Sequence, residues 1–128
     1  IHGDSPCARP FLEAYPALVL DGRATLRIGE WLRVELELVL GDGAAALARL
    51  EGPFDALYLD GFAPARNQGM WNAEVYGELA RLAPPGATLA TYSAASGVRE
   101  GLAEAGFRVE RLAGFARKRH RIVGERQA

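Results

Sequence analysis

The stretch FDALYLD, residues 54–60, is apolar at both parities apart from its ends, and this pattern constrains the fold more than any other in the chain. A strand with one wet face alternates apolar and polar residues. A strand apolar on both sides needs cover on both sides, which is the situation of a sheet sandwiched between helices. The sequence downstream agrees. NAEVYGELARLA places Val75, Leu79 and Leu82 at helical spacing, with Asn72 as N-cap and Pro84-Pro85-Gly86 as the stop. ATLATYS reads as a strand, and AASGVREGLAEAG as a helix that buries Val98, Leu102 and Ala105 and ends at Gly106. FRVERLAGF and KRHRIVGE read as two strands around a turn at Gly114 to Arg117. Strand and helix alternate, which predicts an α/β fold with a mostly parallel sheet. The last two strands are joined without a helix, which predicts an antiparallel C-terminal edge.

Upstream the pattern changes. LRIGEWLRVELELVLGDG reads as a hairpin turning at Gly29-Glu30. Leu32, Val34, Leu36, Leu38 and Leu40 alternate with Arg33, Glu35 and Glu37, so its second strand is expected to have one wet face and one dry face. AAALARL follows as a short helix of good formers. Residues 1–24 carry Pro6, Pro10 and Pro16 and little periodicity. They read as an N-terminal loop or extension with a helical turn near Phe11 to Tyr15, ahead of a domain at 25–128.

A chain of 128 residues suffices for one domain with a core. The net charge of -1 does not announce a nucleic-acid binder, so such a role needs a local patch. A lone cysteine, Cys7, excludes an internal disulfide and thiolate-rich metal sites. His2 and His120 have no partners at ligand spacing, so no metal is expected. No apolar run approaches the roughly 20 residues of a membrane span. IHGDSPCARP lacks a basic-then-apolar leader pattern, which leaves the cytoplasm as the expected location. A start at Ile without Met leads us to expect a fragment or a processed product.

Ligands of open parallel sheets bind beyond the carboxyl ends of the strands. Two such ends carry an acid in a glycine turn: Gly41-Asp42-Gly43 and Asp60-Gly61. Each carboxylate either caps the element that follows or accepts hydrogen bonds from a ligand that the glycines let approach. After Asp60 come Phe62, Pro64, Asn67, Met70 and Trp71. An acid followed by an aromatic and a proline can hold a planar, amine-bearing group. The alternative is a loop whose aromatics fold back onto the core. The basic cluster Arg117, Lys118, Arg119 and His120 could touch phosphates, or could keep an edge strand soluble.

YLDGFAPARNQGMW, followed by LARLAPPGATLATYSAASGVREGLAEAGFRVERLAGFARKRHRIVGE, resembles the methyltransferase domain of MnmC-type enzymes, which make 5-methylaminomethyl-2-thiouridine at the tRNA wobble position. The likeness runs from about Leu26 to Glu125 and is strongest from Asp60 to Trp71 and from Gly114 to Arg119. It implies the C-terminal portion of a Rossmann-like class I methyltransferase sheet that binds S-adenosylmethionine and methylates the amine of 5-aminomethyl(-2-thio)uridine in tRNA. It also implies that Asp60 and Phe62 lie beside the methyl donor and the amine. Gly41, Asp42, Asp60 and Gly61 would then serve the cofactor. Pro64, Asn67, Met70, Trp71, Arg117, Lys118 and Arg119 would serve the substrate RNA.

The sequence departs from that pattern upstream. No stretch before residue 41 reads strand, Gly-x-Gly, helix, and PPGA at 84–87 replaces the family's proline-glycine-glycine. A central strand at 54–60 without its usual neighbour would expose unpaired backbone. Three completions are open: an N-terminal segment absent from the sequence, a strand from a second copy, or the 32–40 strand moved into the gap. The alternative reading of function is a non-catalytic or truncated relative acting as a dimeric or tRNA-interacting domain.

Overall fold

The computed structural model describes residues 8–29, 34–114 and 119–128. The chain divides into two compact units, Ile1–Gly41 and Asp42–Ala128.

The first unit holds helix α1 (Ala8–Asp21) and strands β1 (Arg23–Ile28) and β2 (Val34–Val39). The expected hairpin is present: β1 and β2 pair antiparallel from Arg23↔Val39 to Ile28↔Val34. The expected turn residue Glu30, and Trp31 to Arg33 after it, lie outside the described residues. Ion pairs Arg23–Glu37 and Arg27–Glu35 lie across the ladder. Two expectations are corrected. Residues 8–21 were expected as loop with one helical turn and form 14 residues of helix, with Pro16 inside. Pro10 falls in the first turn, where its missing N–H would have had no partner. Pro16 sacrifices one hydrogen bond, which burial of Leu18 and packing of α1 on β1 offset. Gly22, at φ 67, ends the helix with its N–H on the Leu18 carbonyl at 3.0 Å. The dry face expected of β2 is not dry: Val34 and Leu36 are 44% and 40% exposed.

The second unit is a four-stranded sheet with helices on one face. Its elements are α2 (Gly43–Ala48), β3 (Ala56–Leu59), α3 (Ala73–Leu82), β4 (Thr88–Thr91), α4 (Ser96–Glu104), β5 (Phe107–Ala113) and β6 (His120–Arg126). The strand order is β3-β4-β6-β5. β3 and β4 are parallel, while β6 runs antiparallel to both β4 and β5, so three of the four strands point the same way. The reversed strand is not itself the edge: β6 inserts between β4 and β5, and β5 takes the outer position. The 32–40 strand does not fill the place beside β3, because β2 belongs to a separate two-stranded sheet with β1.

The core is one-sided. Leu57, Leu89, Phe107 and Ile122 of the sheet meet Val75, Tyr76 and Leu79 of α3 and Val98 and Leu102 of α4. Gly124 makes this closure possible, since a Cβ there would lie 3.1 Å from Leu89 Cγ and 3.0 Å from Val109 Cγ1. Arg81 ties α2 to α3 by donating to the Leu47 and Leu50 carbonyls at 3.0 and 3.1 Å, at the C-terminal end of α2. The opposite face carries Ala56, Tyr58, Thr88, Ala90, Arg108 and Glu125 around a hollow. Here the expectation of a β3 buried on both faces is corrected, because Tyr58 is 82% exposed. Its apolarity is real, but within this unit only one face has helices to cover it.

Candidate functional site

The site is built at the carboxyl end of β3. The chain leaves Leu59 into Asp60-Gly61-Phe62, turns at Ala63 to Arg66, forms a single 3-10 turn at Gln68–Met70, and enters α3 at Asn72. Asn72 is the N-cap that its position before the helical run predicts. Its Oδ1 accepts the Val75 N–H at 3.0 Å. It also does more than the sequence suggested: its Nδ2 donates to the Gly69 carbonyl at 3.1 Å, tying the 3-10 turn to the first turn of α3.

The two acidic glycine turns meet through one side chain. A Cβ on Gly43 would lie 3.8 Å from Met70 Cγ, and one on Gly61 would lie 3.0 Å from Met70 Cε and 3.1 Å from its Sδ. Met70 therefore lies between Asp42-Gly43 and Asp60-Gly61, against both turns. Gly61 also accepts the Trp71 ring, whose Cζ2 is 3.2 Å from the same Cβ position. Glycine here makes room for the chain's own thioether and indole.

Neither acid is spent on capping. Asp42 occupies the N-cap position of α2, and its carbonyl accepts the Ala46 N–H at 2.7 Å, but its side chain makes no cap bond. Its Oδ2 lies 3.9 Å from the position of a Gly69 Cβ, and Asn67 Oδ1 lies 3.7 Å from that point, so both oxygens flank the 3-10 turn. Asp60 is exposed and accepts no hydrogen bond among the described residues. The aromatics split between the two readings of the loop. Trp71 turns inward, packs against the core and donates its indole N–H to the Phe62 carbonyl at 2.7 Å. Phe62 turns outward, 78% exposed.

Of the other residues singled out in the sequence, Pro64 and Asn67 are half-buried in the loop and Gly41 directly precedes Asp42. Arg119 is exposed, and its carbonyl accepts the Gly114 N–H at 3.0 Å. Arg117 and Lys118 lie outside the described residues. Sequence reasoning missed Gly69, whose backbone is held by Asn72 and flanked by Asp42. The signal was available in its place three residues before a helix cap, but nothing in the sequence says that Asp42 comes to the same spot.

The acceptor chemistry of these turns suits a cationic, hydroxyl-bearing and amine-bearing ligand. Two carboxylates without partners among the described residues stand at neighbouring turns, with an exposed ring beside one of them. They can accept bonds from hydroxyls and amines and can stabilise positive charge.

Comparison with known proteins adds an independent line. A family model described as S-adenosyl-L-methionine-dependent methyltransferase matches residues 6–127. The tRNA 5-methylaminomethyl-2-thiouridine biosynthesis bifunctional protein MnmC of Ectopseudomonas mendocina is 45% identical over 97% of this chain and 19% of its own length. Its counterpart in Ralstonia nicotianae is 54% identical over 71% of this chain and 14% of its own length. The chain thus spans about a fifth or less of these curated relatives. The crystal structure of MNMC2 from Aquifex aeolicus superimposes with a TM-score of 0.69 at 27% identity, over 78% of this chain and 33% of that one.

Proposed function

The chain belongs to the S-adenosyl-L-methionine-dependent methyltransferase family, and on that premise we propose that it methylates the primary amine of 5-aminomethyl(-2-thio)uridine at the wobble position of tRNA. The observation that carries this reading is the junction at Met70, where two glycine turns, each with an unspent carboxylate, are held side by side. The names of the relatives supply the substrate class.

The bound cofactor would supply an electrophilic methyl group on a sulfonium. Asp42, at the turn nearer α2, would accept bonds from the nucleoside end of that ligand. Asp60 would accept an N–H of the substrate amine, aim its lone pair for in-line attack and take up the proton released as the N–C bond forms and the donor's S–C bond breaks to leave a neutral thioether. Its charge would also offset the cationic character of the reacting pair. Phe62, standing outward beside Asp60, offers a stacking face to the uracil ring. Arg119, with Arg117 and Lys118, would meet backbone phosphates.

Two observations support the second reading, a non-catalytic or truncated relative. Residues 8–29 and 34–40 form a helix and a hairpin, with no strand, Gly-x-Gly, helix sequence among them. β3 has a single ladder partner among the described residues, which supports completion of its edge by a strand from a second copy or from a preceding segment. Titration calorimetry with S-adenosylmethionine separates the readings. Micromolar binding, together with methyl transfer to tRNA from a strain lacking the modification, supports the enzyme. A well-folded chain that gives no heat with the cofactor supports the relative.

A further inference from the structure

The carboxyl end of β4 lies beside that of β3, and it too is followed by an exposed aromatic. β3 and β4 pair in parallel, with Leu59 opposite Thr91 at the last rung. Asp60 and Tyr92 are therefore the next residue of each strand, at the rim where ligands of open parallel sheets bind. Neighbouring strands lie about 4.8 Å apart, so the backbone leaves the sheet at Tyr92 about one strand spacing from Asp60.

A local device turns the chain there. Thr91 is the only buried polar residue among the described ones. Its hydroxyl accepts the Ser93 N–H at 3.0 Å, which closes a tight turn around Tyr92. The backbone is thus held on both sides of Tyr92, while its ring is left 49% exposed. An exposed tyrosine is ordinary by itself. This one shares its rim with Asp60 and with the outward ring of Phe62. Neither Tyr92 nor Phe62 stacks on another aromatic among the described residues. Tyr58, also exposed, is placed differently: it sits inside the ladder, opposite Ala90.

A pyrimidine lifted out of an RNA strand loses its stacking neighbours, and aromatic side chains replace them. Phe62 offers one such face. We infer that Tyr92 supplies the second, an inference that rests on the reading that the chain methylates a wobble-uridine amine. The uracil enters between the rings of Tyr92 and Phe62, and its aminomethyl group reaches Asp60 from the edge of the base. The first carbon of that substituent lies in the plane of the base. Clamping the base on both faces therefore limits where the amine can swing, and leaves the Asp60 carboxylate free to accept its N–H.

The test measures RNA binding without cofactor. The anticodon stem-loop carrying 5-aminomethyl-2-thiouridine is compared with the same RNA lacking the wobble base. Tyr92→Ala should weaken binding of the modified RNA about fivefold or more, the effect of one lost base–aromatic stack, and leave binding of the abasic RNA unchanged. Tyr92→Phe keeps the ring and should bind both RNAs as the parent does. The position is exposed, so both variants should melt with the parent. A second readout uses the parent itself. With 13C-labelled tyrosine, the ring signals of Tyr92, identified by their loss in Tyr92→Phe, should move upfield saturably with the modified RNA and stay in place with the abasic one. Tyr92→Ala binding the modified RNA as tightly as the parent, Tyr92→Phe losing as much as Tyr92→Ala, or unmoved Tyr92 signals would overturn the assignment. In those cases heat with S-adenosylmethionine and methyl transfer would still uphold the methyltransferase reading. A parent that holds both RNAs equally overturns the assignment and the wobble-uridine reading together.

Discussion

Asp60 and Tyr76 show two opposite ways in which one side chain can stand without a partner among the described residues. Asp60 is in water, where an unpaired carboxylate costs nothing, and the loop spends no bond on it. Its replacement by Asn therefore leaves folding almost untouched. If it orients and deprotonates the amine, methyl transfer falls about a hundredfold or more at unchanged melting temperature. Activity at the parental level would sink that role. Tyr76 is inside, where an unpaired hydroxyl does cost. Tyr76→Phe removes the hydroxyl and keeps the ring, and should raise stability in urea by about 1 kcal/mol; a loss of stability would mean that the hydroxyl is bonded after all. Burial also raises the phenol above its ordinary 10.0. The sign follows from linkage: the contribution is intact below the unfolded value and is lost as pH rises through the higher folded one. Stability of the parent should therefore drop on the alkaline side of about pH 10, and the slope should be smaller in Tyr76→Phe.

At the scale of elements, the site depends on how one helix begins. Asn72 caps α3 and holds Gly69 with the other end of the same amide. Asn72→Ala loses both bonds and should cost about 1–2 kcal/mol, read from urea midpoints. Asn72→Asp keeps the cap acceptor and removes only the donor to Gly69. It should recover most of the stability while leaving the 3-10 turn free of α3, seen as faster amide exchange at Gln68 to Met70. If both variants behave alike, the tie to the turn has no separate consequence. α3 and its cap were legible in the sequence, because cap, apolar spacing and proline stop all lie within a dozen residues. α1 was not. Its prolines read as breakers, and what outweighs Pro16 is packing on β1, a contact between elements that no local pattern records.

Across the whole molecule, the uneven cover of the second unit's sheet has consequences for association. The apolar character of 54–60 was read as burial on two faces, yet within this unit helices cover one, and Tyr58 stands in the open on a strand that has a single ladder partner among the described residues. Exposed, apolar strand edges recruit strands. The isolated chain should self-associate with rising concentration in light scattering, and Tyr58→Lys should reduce that several-fold by placing like charges on both partners. A strict monomer over the accessible range would rule this out. Among the described residues, no helix is long and apolar enough to cross a membrane.

What the sequence determined by itself is local: which segments are strand or helix from Asp42 onward, where α3 is capped, and that two strand ends carry an acid beside a glycine. Each follows from side-chain period, turn chemistry or a cap within a few residues. The tertiary structure decided the rest. It set β6 between β4 and β5, left one face of that sheet without helices from its own unit, and brought residues 43 and 61 against the same Met70. Those outcomes depend on which surfaces find each other in three dimensions, and spacing along a chain carries no measure of that.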